Sequence, residues 1–249
     1  MATWVFPMAG YGKRTSSLGE YKPLIEVFEE KTVLDLCLTG LSELINTKDK
    51  LVFITTQDFE ESHSVATAVS NTLKRLNLKN STTMVNLPYT PAGQALTLLN
   101  GIAGLEEGFL MQEVFVINPD QFVFFDLADV DRTKCSVGLY FNPKPSSCFY
   151  DIDITSKRVI SMKEKQMISC YASAGIFFFT TGKVLVDCIQ WGLKNGKQYN
   201  NELYLGPCME YIKDVSYFKT ILKFDLGNVT GIELFKKFGK KLFAKGESI

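Results

Sequence analysis

The chain opens on an apolar run that turns at once into a glycine-rich, cationic loop. Trp4-Val5-Phe6 reads as a buried strand, and Met8-Ala9-Gly10-Tyr11-Gly12-Lys13-Arg14 follows it directly. Lys22-Pro23 comes eight residues after Arg14. Glycine lets a backbone turn with φ > 0 and lets a ligand approach the chain closely. Successive amide N–H groups beyond a strand end can then point at one anion. Arg14 can contact phosphate oxygens in bidentate fashion, and Lys22 adds a point charge. The stretch from Val5 to Val27 therefore reads as an anion cradle for a polyphosphate at the carboxyl end of the first strand. Its spacing is not G-x-G-x-x-G, because Thr15 stands at the third glycine position, and it is not G-x-x-x-x-G-K-[ST]. Neither a dinucleotide fold nor a P-loop ATPase is favoured.

Hydrophobic periodicity extends this strand into a repeating order. Val33–Ile45 has helical spacing, Leu51–Ile54 reads as a second strand, and Phe59–Leu76 as one amphipathic helix. Thr82–Leu87 is a third strand, Gln94–Leu105 a helix, and Val114–Ile117 a fourth strand. Such β-α alternation predicts a Rossmann-like α/β fold, a mixed but mostly parallel sheet flanked by helices. Ligands of such sheets bind beyond the carboxyl ends of the strands. The second half is richer in short strands, at 135–142, 148–154, 157–162 and 172–180. Helices are expected over Lys183–Trp191, Glu202–Ile212 and Gly231–Phe243, with a strand at Val215–Phe224. With no linker or repeat in view, residues 1–249 are expected to form one domain. Within it, residues up to about 130 would be a β-α half and the rest a β-rich half.

Composition narrows the chemistry. Lys+Arg and Asp+Glu both number 27, so no basic bias points to nucleic acid. No run of about 18 apolar residues predicts a membrane span, and the N-terminus has no basic leader region. Six cysteines occur without a C-x-x-C pair, which predicts free core thiols in a reducing cytoplasm. His63 is the one histidine and lies in a polar helical segment. The sequence therefore argues against histidine acid–base catalysis and for carboxylates, cations and metal ions.

The fourth strand ends in Asn118-Pro119-Asp120-Gln121. A carboxylate just past a buried strand end suits Mg²⁺, which takes one or two protein carboxylates together with phosphate oxygens and water; a plain turn-forming Asp is the alternative. Four further stretches stand out: Thr90-Pro91-Ala92-Gly93-Gln94, Glu164-Lys165 before Tyr171–Phe179, Asn200-Asn201-Glu202-Leu203-Tyr204, and Lys223-Phe224-Asp225-Leu226-Gly227-Asn228. Each also has a bland reading. Glu164-Lys165 would be a solvated turn, Glu202 a favourable charge at a helix start, and Asn228 a helix cap.

In this order, from about residue 3 to 243, these elements resemble the signature of the sugar-phosphate nucleotidyltransferases, the nucleotide-sugar pyrophosphorylases, with their GT-A-like fold. AGYGKR and YKPLIEV match that family's G-x-G-x-R and Lys-Pro elements. The resemblance implies that Ala9, Gly10, Gly12 and Gly93 line the nucleotide, and that Asp120 holds it together with a metal. Asp225 would be the second metal ligand, with Phe224 replacing the family's Trp. Arg14 and Lys22 would be the catalytic cations. Lys165, Gly175 and Glu202 would bind the second substrate. Gln94 would read a base edge or face solvent.

The reaction implied joins a nucleoside triphosphate to a phosphorylated small molecule, foremost a sugar 1-phosphate, and releases pyrophosphate with Mg²⁺ as cofactor. The Asn-Asn-Glu element is similar to that of relatives in capsule and surface-glycan pathways. Other readings stay open: a cytidylyltransferase for a non-sugar phosphate such as phosphocholine, a metal-dependent glycosyltransferase, or a catalytically silent homologue. No nucleic-acid or membrane partner is expected, and a homo-oligomer is left open.

Overall fold

The computed structural model describes residues 1–10, 17–18, 21–145 and 147–242. Strand β1 (Ala2–Pro7) is followed by β2 (Glu26–Phe28), β3 (Lys31–Thr32), α1 (Val33–Leu41), β4 (Lys50–Thr56), α2 (Gln57–His63) and α3 (Val65–Arg75). Then come β5 (Ser81–Leu87), α4 (Gln94–Ile102), β6 (Glu113–Ile117) and β7 (Gln121–Phe124). The second half runs β8 (Ser136–Phe141), β9 (Cys148–Asp153), β10 (Arg158–Glu164), β11 (Tyr171–Phe179), α5 (Gly182–Lys194), β12 (Gln198–Tyr199) and β13 (Glu202–Leu203). It closes with α6 (Leu205–Cys208), β14 (Ser216–Lys219), β15 (Leu222–Asp225) and α7 (Val229–Phe238).

Nine strands form one sheet in the order β5-β4-β1-β6-β11-β8-β14-β10-β9. The first four are parallel, as the β-α order predicted. Beyond β6 the sheet changes character. β11 runs antiparallel to β6 and β8, β8 pairs parallel with β14, and β10 runs antiparallel to β14 and β9. β9 also pairs with β11, so five strands close into a barrel. The sheet is therefore mixed, and the expected mostly parallel character holds only for its first part. A parallel neighbour needs a crossover of a dozen or more residues, whereas a short turn such as that between β9 and β10 permits only antiparallel pairing.

Alternation along the strands fills both faces. Trp4 and Phe6 point to one face, where Trp4 stacks on Phe115 at 4.3 Å and Phe6 on Phe53 at 4.8 Å. Leu34 and Leu38 of α1 and Val69 and Leu73 of α3 cover that face. Val5 points the other way, into a cluster with Leu98 of α4 and Leu185 of α5. A third cluster, including Phe122, Leu226 and Phe235, lies beneath β7, β15 and α7.

Three expected elements divide. The helix predicted over 59–76 breaks at Ser64, whose φ of 49° cannot continue a right-handed helix. The strand predicted over 215–224 becomes β14, in the large sheet, and β15, which pairs with β7. The helix predicted from Glu202 begins only at Leu205, because Asn200 and Asn201 adopt φ of 50° and 61° and turn β12 back onto β13. Two consecutive left-handed residues make the tight hairpin that Asn favours. Among the described residues all six cysteines are free thiols, and no helix is long and apolar enough to cross a membrane.

One polar cluster ties the helical layer together. Thr32 and Asp35 form a capping box at the start of α1. Asp35 also accepts from Thr72 Oγ1 at 2.8 Å and from Arg75 on α3. Burial pushes the Asp35 carboxyl up, but Arg75, Thr32 and Thr72 outweigh it and hold it below its usual range. Replacing Asp35 by Ala should lower stability by about 2–3 kcal/mol in urea denaturation at pH 7. The gap to wild type should narrow as pH falls through the depressed pKa, where wild type itself loses this contribution.

Candidate active site

The site is built on the ribbon of β7 and β15. These strands pair antiparallel with Gln121 opposite Asp225. Asp120 immediately precedes β7, and its carbonyl accepts from Leu226 N–H at 2.8 Å. Two carboxylates about 100 residues apart in sequence thus stand side by side. A β-carbon on Gly227 would lie 2.6 Å from Asp120 Oδ2 and 3.0 Å from Asp225 Oδ1, so only glycine leaves the space between them open. Asp225 Oδ1 accepts from Gly227 N–H at 2.9 Å, and Oδ2 accepts from Asn228 Nδ2 at 2.8 Å. Asn228 Oδ1 in turn caps α7 through Gly231 N–H at 2.9 Å. Capping and orientation of Asp225 are therefore one arrangement. Phe224 points away, with its ring 5.1 Å from that of Phe235. It is core. Strand alternation puts Lys223, not Phe224, on the face of Asp225.

Two expected cations meet this pair or its cleft. Lys22 Nζ lies 2.8 Å from Asp120 Oδ2. Its position follows from Tyr21, which is buried and whose hydroxyl donates to Met8 O at 3.1 Å. The Tyr21 ring also packs on Phe59 at 4.3 Å and on His63 at 5.5 Å. His63 is accordingly a packing residue. Lys165 follows β10 with φ of 55°, an uncommon backbone for a residue with a β-carbon. Its N–H donates to Ser147 O at 3.0 Å, and its Nζ lies 3.2 Å from Glu164 Oε1 and 5.4 Å from the Tyr204 ring centroid. The Glu164 side chain is only 8% exposed. Burial pushes its carboxyl above the usual range, against the pull of Lys165.

Asp120, Lys165, Gly175 and Asp225 line one cleft of about 140 Å³. Gln94, Asn118 and Gln121 add amides to its wall. Gln94 Nε2 donates to Asn118 Oδ1, and Gln121 Nε2 to Gly175 O at 3.3 Å. Gly175 has φ of 71°, and a β-carbon there would come within 2.9 Å of Asn118. The departure from the expected signature at Asn118 thus fills the space that Gly175 leaves.

Gly12 and Arg14 lie outside the described residues. Ala9 is buried in the core and Gly10 is exposed. Gly93, at φ of 102°, is required by the backbone of Leu203, 2.6 Å from where its β-carbon would be. Glu202 is exposed on β13 rather than at a helix start. It accepts from Tyr204 Oη at 2.6 Å, and it is Tyr204 that lines the cleft. Glu164, Tyr204 and Lys223 were given no role by sequence reasoning. For Lys223 the signal was present, two positions before Asp225 on one strand face.

The chain has the fold shared by nucleotide-sugar pyrophosphorylases and cytidylyltransferases. A nucleoside-diphosphate-sugar pyrophosphorylase from Vibrio cholerae RC9 superimposes with a TM-score of 0.81 at 20% identity, over 94% of this chain and 99% of that one. A UDP-glucose pyrophosphorylase complexed with UDP-glucose gives 0.74 at 17% identity, over 97% and 99%. A CTP:phosphocholine cytidylyltransferase from Streptococcus pneumoniae gives 0.67 at 13%, over 95% and 97%. No protein-family model matches the sequence, and no curated protein does.

The raised Glu164 pKa has a measurable sign. The folded state holds this proton more tightly than the unfolded chain, so the contribution to stability is lost as pH rises through the folded pKa. Glu164→Gln should melt above wild type at pH 8, and the two should converge below about pH 4.

Proposed function

We propose that this chain is a nucleotidyltransferase that joins a nucleoside triphosphate to a sugar 1-phosphate and releases pyrophosphate. The observation that carries this reading is the meeting of Asp120 and Asp225 in one cleft with Lys165, with Lys22 bound to Asp120. The fold of known nucleotidyltransferases supports it. Residues up to about 130 would take the nucleotide, and the barrel half the second substrate.

Both reactants are anions, so repulsion between them is the barrier. Positioning and charge neutralisation therefore do most of the work. In this reading Lys22 neutralises the α-phosphate and Lys165 draws in the attacking phosphate. Arg14 is assigned to the leaving phosphates by its place in the sequence, two residues after Gly12. The attacking phosphate is already ionised, so no general base is needed.

The carboxylate pair fits Mg²⁺. Gly227 keeps the gap between the two carboxylates clear. Among the described residues no group of three or more His, Cys, Asp or Glu forms a closed metal site. One or two carboxylates completed by phosphate oxygens is the usual Mg²⁺ arrangement. Bound there, the ion would supply charge neutralisation at the reacting phosphates.

The amides of Gln94, Asn118 and Gln121, with Ser147 and Ser173, favour a polyhydroxylated substrate over a quaternary ammonium. The latter calls for an aromatic cage, whereas the Tyr204 ring already faces Lys165. A nucleotide sugar made in the cytoplasm would feed glycan assembly, capsule or other surface glycans included.

Pyrophosphate release, measured over the common nucleoside triphosphates with sugar 1-phosphates and phosphocholine, tests the reading. Release should require Mg²⁺ and a sugar 1-phosphate; silence across the whole panel would refute it. Asp120→Asn should abolish turnover while the melting temperature stays within a few degrees of wild type. Gly227→Ala should lower turnover about a hundredfold, because the added carbon displaces both carboxylates. Near-normal rates in either variant would remove the pair from the mechanism.

A further inference from the structure

Lys223 is the cleft-lining cation to which the mechanism above gives no task. It sits on β15 two residues before Asp225, on the same strand face, and lines the same cleft. Its Nζ lies 4.1 Å from the centroid of the Tyr140 ring, on barrel strand β8. The carboxylates of the cleft are otherwise engaged. Asp120 meets Lys22, Asp225 accepts from Gly227 and Asn228, and Glu164 meets Lys165. Lys223 forms no ion pair with a described carboxylate. A ring face attracts an ammonium without occupying its N–H donors in hydrogen bonds to a carboxylate. The arrangement holds a cation in place while leaving it able to take an anion.

Position says which anion. Two residues along a strand are roughly 6.6 Å, so the Lys223 backbone stands one side-chain repeat from that of Asp225. Its ammonium is drawn toward β8, hence toward the barrel half, where Lys165, Ser147 and Ser173 line the cleft. Lys22, by contrast, approaches from the first half of the chain.

We propose that Lys223 binds the phosphate of the second substrate, so that two lysines from separate elements, Lys165 after β10 and Lys223 on β15, hold that group, with Tyr140 positioning Lys223. This rests on the function proposed above for the identity of the substrate, but not for the binding of phosphate itself.

The test compares wild type with Lys223→Met, Lys223→Arg and Tyr140→Leu. Inorganic phosphate binding, followed by ³¹P relaxation, needs no turnover. Its Kd should rise about tenfold in Lys223→Met, largely recover in Lys223→Arg, and rise less in Tyr140→Leu. In steady state, Lys223→Met should raise the KM for the sugar 1-phosphate roughly 10- to 100-fold while the KM for the nucleotide stays within about twofold. An unchanged phosphate Kd in Lys223→Met would overturn the assignment, as would a rise confined to the nucleotide KM. Lys223→Arg, which keeps the charge, separates loss of the cation from loss of the fold. If no nucleotide and sugar phosphate pair releases pyrophosphate yet phosphate binding still falls in Lys223→Met, the nucleotidyltransferase reading fails and the phosphate site stands. If wild type turns over and Lys223→Met matches it in both KM and phosphate Kd, the reverse holds.

Discussion

The antiparallel pairing of β7 with β15 is the constraint on which the site depends. It puts Gln121 opposite Asp225 and thereby brings Asp120 and Asp225 together. Neither strand belongs to the large sheet. The ribbon is held by the cluster beneath it, where Phe122 and Phe224 pack around Phe235 of α7, with ring centroids 5.2 Å and 5.1 Å from it. Because side chains alternate along a strand, the same ribbon that packs Phe122 and Phe224 toward Phe235 must present Lys223 and Asp225 on the other side. Core packing and site geometry are thus two faces of one element, and a one-residue slip in register would exchange them.

Two adjacent carboxylates repel each other, and the fold answers this differently for each. Asp120 has a lysine ammonium at 2.8 Å. Asp225 has no such cation among the described residues and is held by the Gly227 amide and the Asn228 side chain. Glu164, deeper in the wall, is the group whose ionisation the protein opposes.

The two halves of the chain contribute by different topologies. Parallel strands linked by helices present their carboxyl ends at one edge, where Asn118 and Asp120 follow β6. The barrel half contributes from a turn after β10 and from the irregular stretch of β11 around Gly175, where the pairing with β8 shifts register between Ser173 and Phe177. The left-handed backbone at Lys165 lies on this wall too, at the kind of place where local strain is retained in folded proteins.

Much of this was legible in the sequence. The apolar runs at Val5, Val52 and Val116 and the helices between them determined a parallel sheet, because burial of alternating elements leaves few other solutions. Cation and carboxylate types at Lys22, Asp120, Lys165 and Asp225, with a single histidine apart from them, pointed the sequence reading toward anion rather than histidine chemistry. What local pattern could not supply was pairing between distant segments. Nothing near Phe122 says that its partner strand lies a hundred residues on, that β9 closes onto β11, or that Glu202 faces solvent while Tyr204 turns inward. Those choices depend on long-range contacts that the folded chain alone brings together, since the same short strand satisfies its own pattern equally well beside several neighbours.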